Sequence, residues 1–209
     1  MGLAFIPHVS AQDSPAMRPP RVFFPQGCHN GHRPIPAVNE RFLNYDMTAS
    51  IARSDSFDVH SYEVDLDVTE YNLQQIEAHA RMALTVLNGE AQNLWFDLID
   101  LAVDSVHLDG ALVDFEHVDG QLHVNSTWET GAEYVIDVWY GGHPYQDPYW
   151  GGVYFVADYI YHLGIGLTSI PPNFGKVWHP CFDNFVERAT YTWNITSAGG
   201  RRAHGQGTF

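Results

Sequence analysis

The stretch Trp150–Trp193, WGGVYFVADYIYHLGIGLTSIPPNFGKVWHPCFDNFVERATYTW, holds three of the six tryptophans and one of the two cysteines in the chain. Val153–His162 is a dense aromatic and β-branched run, which predicts a strand or a strand pair. Gly164 and Gly166 break it. Pro171-Pro172 then imposes an extended turn, because each ring fixes φ and removes a backbone donor. Trp178-His179-Pro180-Cys181-Phe182-Asp183 follows, and a strand pattern returns over Ala189–Ile195.

Working outward, the chain before this stretch repeats the β pattern. Tyr62, Val64, Leu66 and Val68 alternate with Glu63, Asp65, Asp67 and Thr69, as a half-buried strand with an acidic outer face does. Ile76–Val86 alternates again, and its strict period of two favours a strand over a helix despite the alanines. Leu94–Leu98, Leu101–Leu108, Val113–His117, Leu122–Val124 and Tyr134–Tyr140 continue the series. Asp109-Gly110 and Asp119-Gly120 are hairpin signals between them. Strands at this spacing, with no long helix between, predict an all-β fold: an antiparallel β-sandwich or saddle-shaped sheets. Residues 57–196 are read as that domain. Residues 1–56, rich in proline, are read as an irregular N-terminal arm with a short helix within Ala37–Ile51. Residues 197–209 are read as a flexible polar tail.

Composition supports a packed globular protein, with 45% hydrophobic and 14% aromatic residues. Twenty-five acidic against ten basic residues give a formal charge of −15, which argues against nucleic acid and anionic membranes as partners. No apolar run reaches the ~20 residues of a membrane span. Val9-Ser10-Ala11 before Gln12 has the spacing of a signal-peptidase site, so the N-terminus is either the tail of a signal peptide or an ordinary terminus. Cys28 and Cys181 are either one long-range disulfide or two small buried hydrophobes.

Two motifs within the opening stretch resemble the N-terminal β-domain of M1-family zinc aminopeptidases, in its divergent secreted bacterial branch. Pro180-Cys181-Phe182-Asp183 with Arg188-Ala189-Thr190-Tyr191 is similar to the family's Pro-Cys-Phe-Asp-Glu-Pro signature and the segment after it. Thr168-Ser169-Ile170-Pro171-Pro172 with Gly175-Lys176 sits, without a gap, where the family has Thr-Gln-x-Glu-Pro-x-x-Ala-Arg. The departures are Ser169 for the amine-binding Gln, Pro171 for Glu, and Asn184-Phe185 for Glu-Pro. The resemblance implies a saddle of β-sheets. It implies a substrate rim at Thr168, Ser169, Ile170, Pro171 and Pro172, and a structural signature at Pro180, Cys181, Phe182, Asp183 and Arg188. It also implies zinc in the parent enzyme, a peptide substrate, a catalytic domain outside this chain and export from the cytoplasm. A serine at 169 offers a hydroxyl but no amide, so direct recognition of a free N-terminus is expected to be weak or water-mediated. With the partner domain missing, an exposed apolar patch is expected around Phe174 and Trp178.

None of the twelve histidines is followed by Glu-x-x-His, so the sequence carries none of the family's zinc-binding motif and catalysis by this chain alone is not expected. Cys28, His29 and His32 are the densest group of metal-ligand types, but no second cluster completes a four-ligand site. His179 and Cys181 have the composition of a thiol nucleophile and its base, without an orienting third group. The alternative to a peptidase domain is a free-standing β-sandwich that binds protein or carbohydrate through Tyr145, Tyr149, Trp150, Tyr154, Tyr159 and Tyr161.

Overall fold

A computed structural model describes residues 45–90 and 92–208. The first element is helix α1, Met47–Ser54, whose first turn is capped by the Asp46 carboxylate accepting from the Ala49 N–H. It overlaps the end of the window Ala37–Ile51 in which a short helix is expected; residues up to 44, including Cys28, His29 and His32, lie outside the described residues. Strand β1 is Phe57–Asp67 and strand β2 is Ile76–Val86. Strand β3 is Leu94–Asp97, β4 Ala102–Leu108, β5 Ala111–Val113, β6 Phe115–Val118 and β7 Gln121–Val124. Strand β8 is Glu133–Gly142, β9 Gly151–Val156, β10 Tyr159–Gly166 and β11 Thr190–Thr196.

The largest sheet has six strands in the order β11-β1-β2-β8-β4-β5. Its strands have the length and alternation the sequence predicts. Val64 on β1, Ala80 and Met82 on β2 and Val138 on β8 are fully buried, while Glu63, Arg81 and Trp139 face outward between them. In β1 the inward positions run Phe57, Val59, then Tyr62, Val64 and Leu66. A bulge between Val59 and Ser61 absorbs the change of phase. A three-stranded sheet, β3-β7-β6, puts Leu94, Phe96, Leu122 and Val124 into the same hydrophobic core. The expected turns at Asp109-Gly110 and Asp119-Gly120 both form with two successive left-handed residues, the geometry that suits the twist of hairpin strands.

The class is all-β, as the sequence predicts, but the large sheet is mixed rather than wholly antiparallel. β11 pairs in parallel with β1, from Ser61 beside Thr190 to Asp67 beside Thr196. Period-two patterning tells which residues point inward and nothing about strand direction. A parallel pair needs a long crossover, and the whole chain between Asp67 and Thr190 provides it. The run Val153–His162 resolves into a hairpin of β9 and β10, turning at Ala157-Asp158. Its Val153 packs with Ile99, Phe174 and Val177 into a second, smaller apolar cluster. That cluster carries the segment in which the candidate site lies.

Candidate substrate-rim segment

The segment between β10 and β11 has little regular structure, only a short 3-10 turn at Gly175–Val177. Polar contacts with buried side chains therefore hold it. Glycine lets it approach closely. A side chain at Gly166 would put its Cβ 2.2 Å from the Phe174 ring, and one at Gly151 would meet the Ile165 carbonyl oxygen at 2.0 Å. Phe174, fully buried, occupies the space that Gly166 leaves.

Asp147 anchors the first half. Its carboxylate accepts from the backbone N–H groups of Tyr149 and Trp150 at 2.8 and 2.9 Å, and from the Thr168 N–H at 2.9 Å. The Thr168 hydroxyl donates to it as well. Burial works against this charge, yet the bonds from Thr168 and the backbone outweigh it and hold the carboxyl below its usual range. Ser169 is buried, and its hydroxyl donates to the Pro171 carbonyl. Between these anchors the apolar side chains turn outward: Leu167 is 52% and Ile170 60% exposed. Pro171 is buried and Pro172 is exposed.

Asp183 anchors the second half. It accepts from the Gly175 N–H at 3.1 Å, and the Lys176 ammonium lies 3.0 Å from its other oxygen, both side chains being almost wholly buried. The Asp183 N–H donates to Asp97 at 3.0 Å. Asp97, at the end of β3, also pairs with Arg53 of α1 at 2.9 Å, with the Arg53 side chain completely buried. The Arg53 guanidinium lies between rings, 4.6 Å from the centroid of Trp95 and 4.1 Å from that of Phe182. Asp97 and Cys181 exchange backbone bonds of 2.8 and 3.2 Å. The Phe182 N–H donates to the Tyr62 hydroxyl at 3.1 Å. Thus Cys181, Phe182 and Asp183 are stitched to β1, β3 and α1, while Pro180 is buried and Arg188 is exposed on the surface beyond them.

Several sequence expectations meet this geometry differently. The exposed apolar patch is not at Phe174 and Trp178: Phe174 is buried, and Trp178 stacks on Trp193 at 4.3 Å and lies 4.7 Å from the His162 ring. The exposed apolar residues of the segment are Leu167, Ile170, Phe185 and Val186 instead, and Phe174 is buried because Gly166 opens a core pocket for it that the sequence does not reveal. His179 and Cys181 are not a nucleophile pair. Burial, reinforced by Asp183 and Asp97, pushes the Cys181 thiol well above its usual range, and His179 Nδ1 bonds to the Pro180 carbonyl. The rings of Tyr154 and Tyr161 stack on each other at 5.1 Å and Tyr145 packs edge-on to Phe174, so these three are engaged within the fold, while Tyr149 is 63% exposed. Of the tail, Arg201 donates to the Asp158 carbonyl at 3.0 Å and lies over the Tyr71 ring. Among the described residues, no three His, Cys, Asp or Glu side chains come together in a way that would hold a metal ion. Arg53, Asp97 and Lys176 escape sequence reasoning as anchors. The available signal is the scarcity of Lys and Arg in so acidic a chain.

No protein-family model matches the chain, and no curated protein matches it in sequence. Solved structures do match. An M1 zinc metallopeptidase from Deinococcus radiodurans, in a variant bound to a Tyr-Ser-Ala substrate, aligns with 68% of this chain and 33% of its own length, at 20% identity and a TM-score of 0.59. Native leukotriene A4 hydrolase from Saccharomyces cerevisiae aligns over 81% of this chain and 26% of its own, at 18% identity and a TM-score of 0.51. The chain has the fold of an M1-aminopeptidase-like N-terminal domain. It spans about a third of the length of the first of these relatives.

Two outcomes follow from the anchors. Asp97→Ala leaves Arg53 buried without its counter-charge and should cost about 3–5 kcal/mol of stability. Urea unfolding measures it, and the double variant R53M/D97L should lose less than Asp97→Leu alone. Burial also lowers the His162 pKa from 6.5 to about 4, against the opposing bond to the Phe174 carbonyl. The unfolded chain then takes up the proton first, so this contribution is intact above the unfolded value and lost as pH falls from 6.5 to about 4. The total is on the order of 3 kcal/mol. Buried His179, also lowered, acts in the same direction, whereas Asp147 acts only below the ordinary carboxylate range. His162→Gln should flatten the pH dependence of the urea midpoint in that window.

Proposed function

We propose that this chain supplies the non-catalytic N-terminal domain that forms the substrate rim of an M1-like zinc metallopeptidase, in which another domain holds the zinc. The observation that carries the reading is the combination at 167–170. Thr168 and Ser169 are buried and bonded from within, while Leu167 and Ile170 are presented outward. A segment held this way keeps its shape without a partner and offers apolar surface to one. The match to M1 peptidases supports the choice of partner, and the peptide bound in one of them supports the class of substrate. The described residues of this chain do not assemble a zinc site, so no chemical step is assigned to them. The rim's part is to border the pocket, exclude water and orient a peptide. Ser169 has its hydroxyl engaged with Pro171 and is not offered to a substrate amine. The proposal includes export, on the strength of Val9-Ser10-Ala11 and the secreted branch of the resemblance.

The test joins this chain to the frame encoded downstream of it, which the proposal requires to contain His-Glu-x-x-His. Leu167→Asp and Ile170→Asp together should lower kcat/KM on aminoacyl reporter substrates by at least about tenfold, equivalent to 1.4 kcal/mol, with the melting temperature of this domain unchanged. A downstream frame without the motif, or unchanged activity in the variants, contradicts the reading.

A further inference from the structure

The outer face of the six-stranded sheet, on the far side from the shared core, carries a cavity of about 550 Å³ that the rim does not use. This volume falls within the ~300–1,000 Å³ of ligand pockets. Asp65, Asp67, Glu77 and Asp104 line it, and among the described residues no Lys or Arg does. The side chains of Glu77 and Asp104 make no hydrogen bond or ion pair among the described residues. Arg81, the one Lys or Arg carried by the strands of this sheet, is spent on Asp137 at 2.9 Å.

An aromatic side chain borders the same space. Trp139 is 37% exposed on this face. It is also propped. The His79 ring stacks on it at 4.4 Å and His107 packs at 4.8 Å. His79 is itself clamped by Asp137 at 2.8 Å and Asp65 at 3.3 Å, and Asn194 donates to Asp65 at 2.9 Å. A rigid indole beside free carboxylates suits a cation, which the ring face and the carboxylates attract together.

We propose that this face docks a basic peptide segment in extended conformation, with Arg or Lys side chains directed at Trp139, Glu77 and Asp104. The lining comes from β11, β1, β2, β8 and β4. Five strands at about 4.8 Å spacing span roughly 19 Å, which matches about six extended residues rather than one amine. Alternation in an extended peptide would bring every second side chain to the sheet. This inference stands apart from the peptidase reading, since it uses none of the rim residues.

Calorimetric titration of the 209-residue protein with acetyl-(Arg-Thr)3-amide tests it, against acetyl-(Glu-Thr)3-amide and free arginine as comparators. The arginine peptide should bind at low ionic strength, weaken with salt and exceed both comparators by at least about tenfold. Trp139→Ala should weaken it about tenfold. The double variant E77Q/D104N changes only exposed carboxylates and keeps the fold testable if Trp139→Ala unfolds; it should weaken binding by a similar factor. Equal binding of the glutamate peptide, failure of the arginine peptide to bind at low salt, or an unchanged affinity in E77Q/D104N overturns the proposal.

Discussion

The buried pair of Arg53 and Asp97 is the contact on which the segment after β10 depends. An arginine with no exposed side chain is tolerable when its charge is answered and most of its donors are used; here Nε is left without a partner among the described residues. Asp97 answers the charge, the Trp95 carbonyl and Ser50 hydroxyl take further donors, and two rings cover the guanidinium faces. Because Asp97 also receives the Asp183 N–H, the same carboxylate fixes the end of an irregular segment to the end of a regular strand. One group thus joins α1, β3 and the Pro-Cys-Phe-Asp turn. The role of α1 follows. It is too short to be stable in water by itself, at eight residues, and packing with Arg53 pointing inward gives it a reason to form.

The two long faces of the large sheet show how one alternating pattern serves two purposes. Inward positions supply Val64, Met82 and Val138 to the core. Outward positions supply acids, three histidines (His60, His79 and His107) and Trp139. On most sheet faces charged side chains merely stay in water. Here, one sign of charge dominates and the single strand-borne arginine is internally paired, so the face carries an uncompensated field. The rim differs in kind. Its charges are buried and paired, and its exposed groups are apolar. These are different surfaces, with attraction for different partners.

Much of the fold was legible in the sequence because it rests on local, periodic signals. Tyr62–Leu66, Ile76–Val86 and Tyr134–Tyr140 alternate as half-buried strands must, and two Asp-Gly pairs mark their turns. The resemblance at Thr168–Pro172 and Pro180–Asp183 pointed to the correct fold, and the spacing between those motifs matched without a gap. What escaped was information that no local pattern holds. Direction is one such case, since β11 has the pattern of any edge strand and its parallel pairing with β1 depends on the path of the chain between. Phe174 is another. Its burial follows from the missing side chain at Gly166, eight residues earlier in sequence and adjacent only in space. The anchoring of Asp183 depends on Arg53 and Asp97, which are far from it in sequence and carry no motif of their own.

The central claim is that residues 168–183 are held from within, by buried carboxylates, while single apolar side chains project outward. Amide hydrogen exchange, followed residue by residue, tests this most directly. The N–H groups of Thr168, Gly175, Cys181 and Asp183, which donate to Asp147, Asp183, Asp97 and Asp97 respectively, should exchange nearly as slowly as those of Glu63–Asp67 in β1. The Ile170 amide, on an exposed residue between the anchors, should exchange much faster. Uniformly fast exchange from 168 to 183 would mean that the anchors do not hold the segment, and would contradict the account.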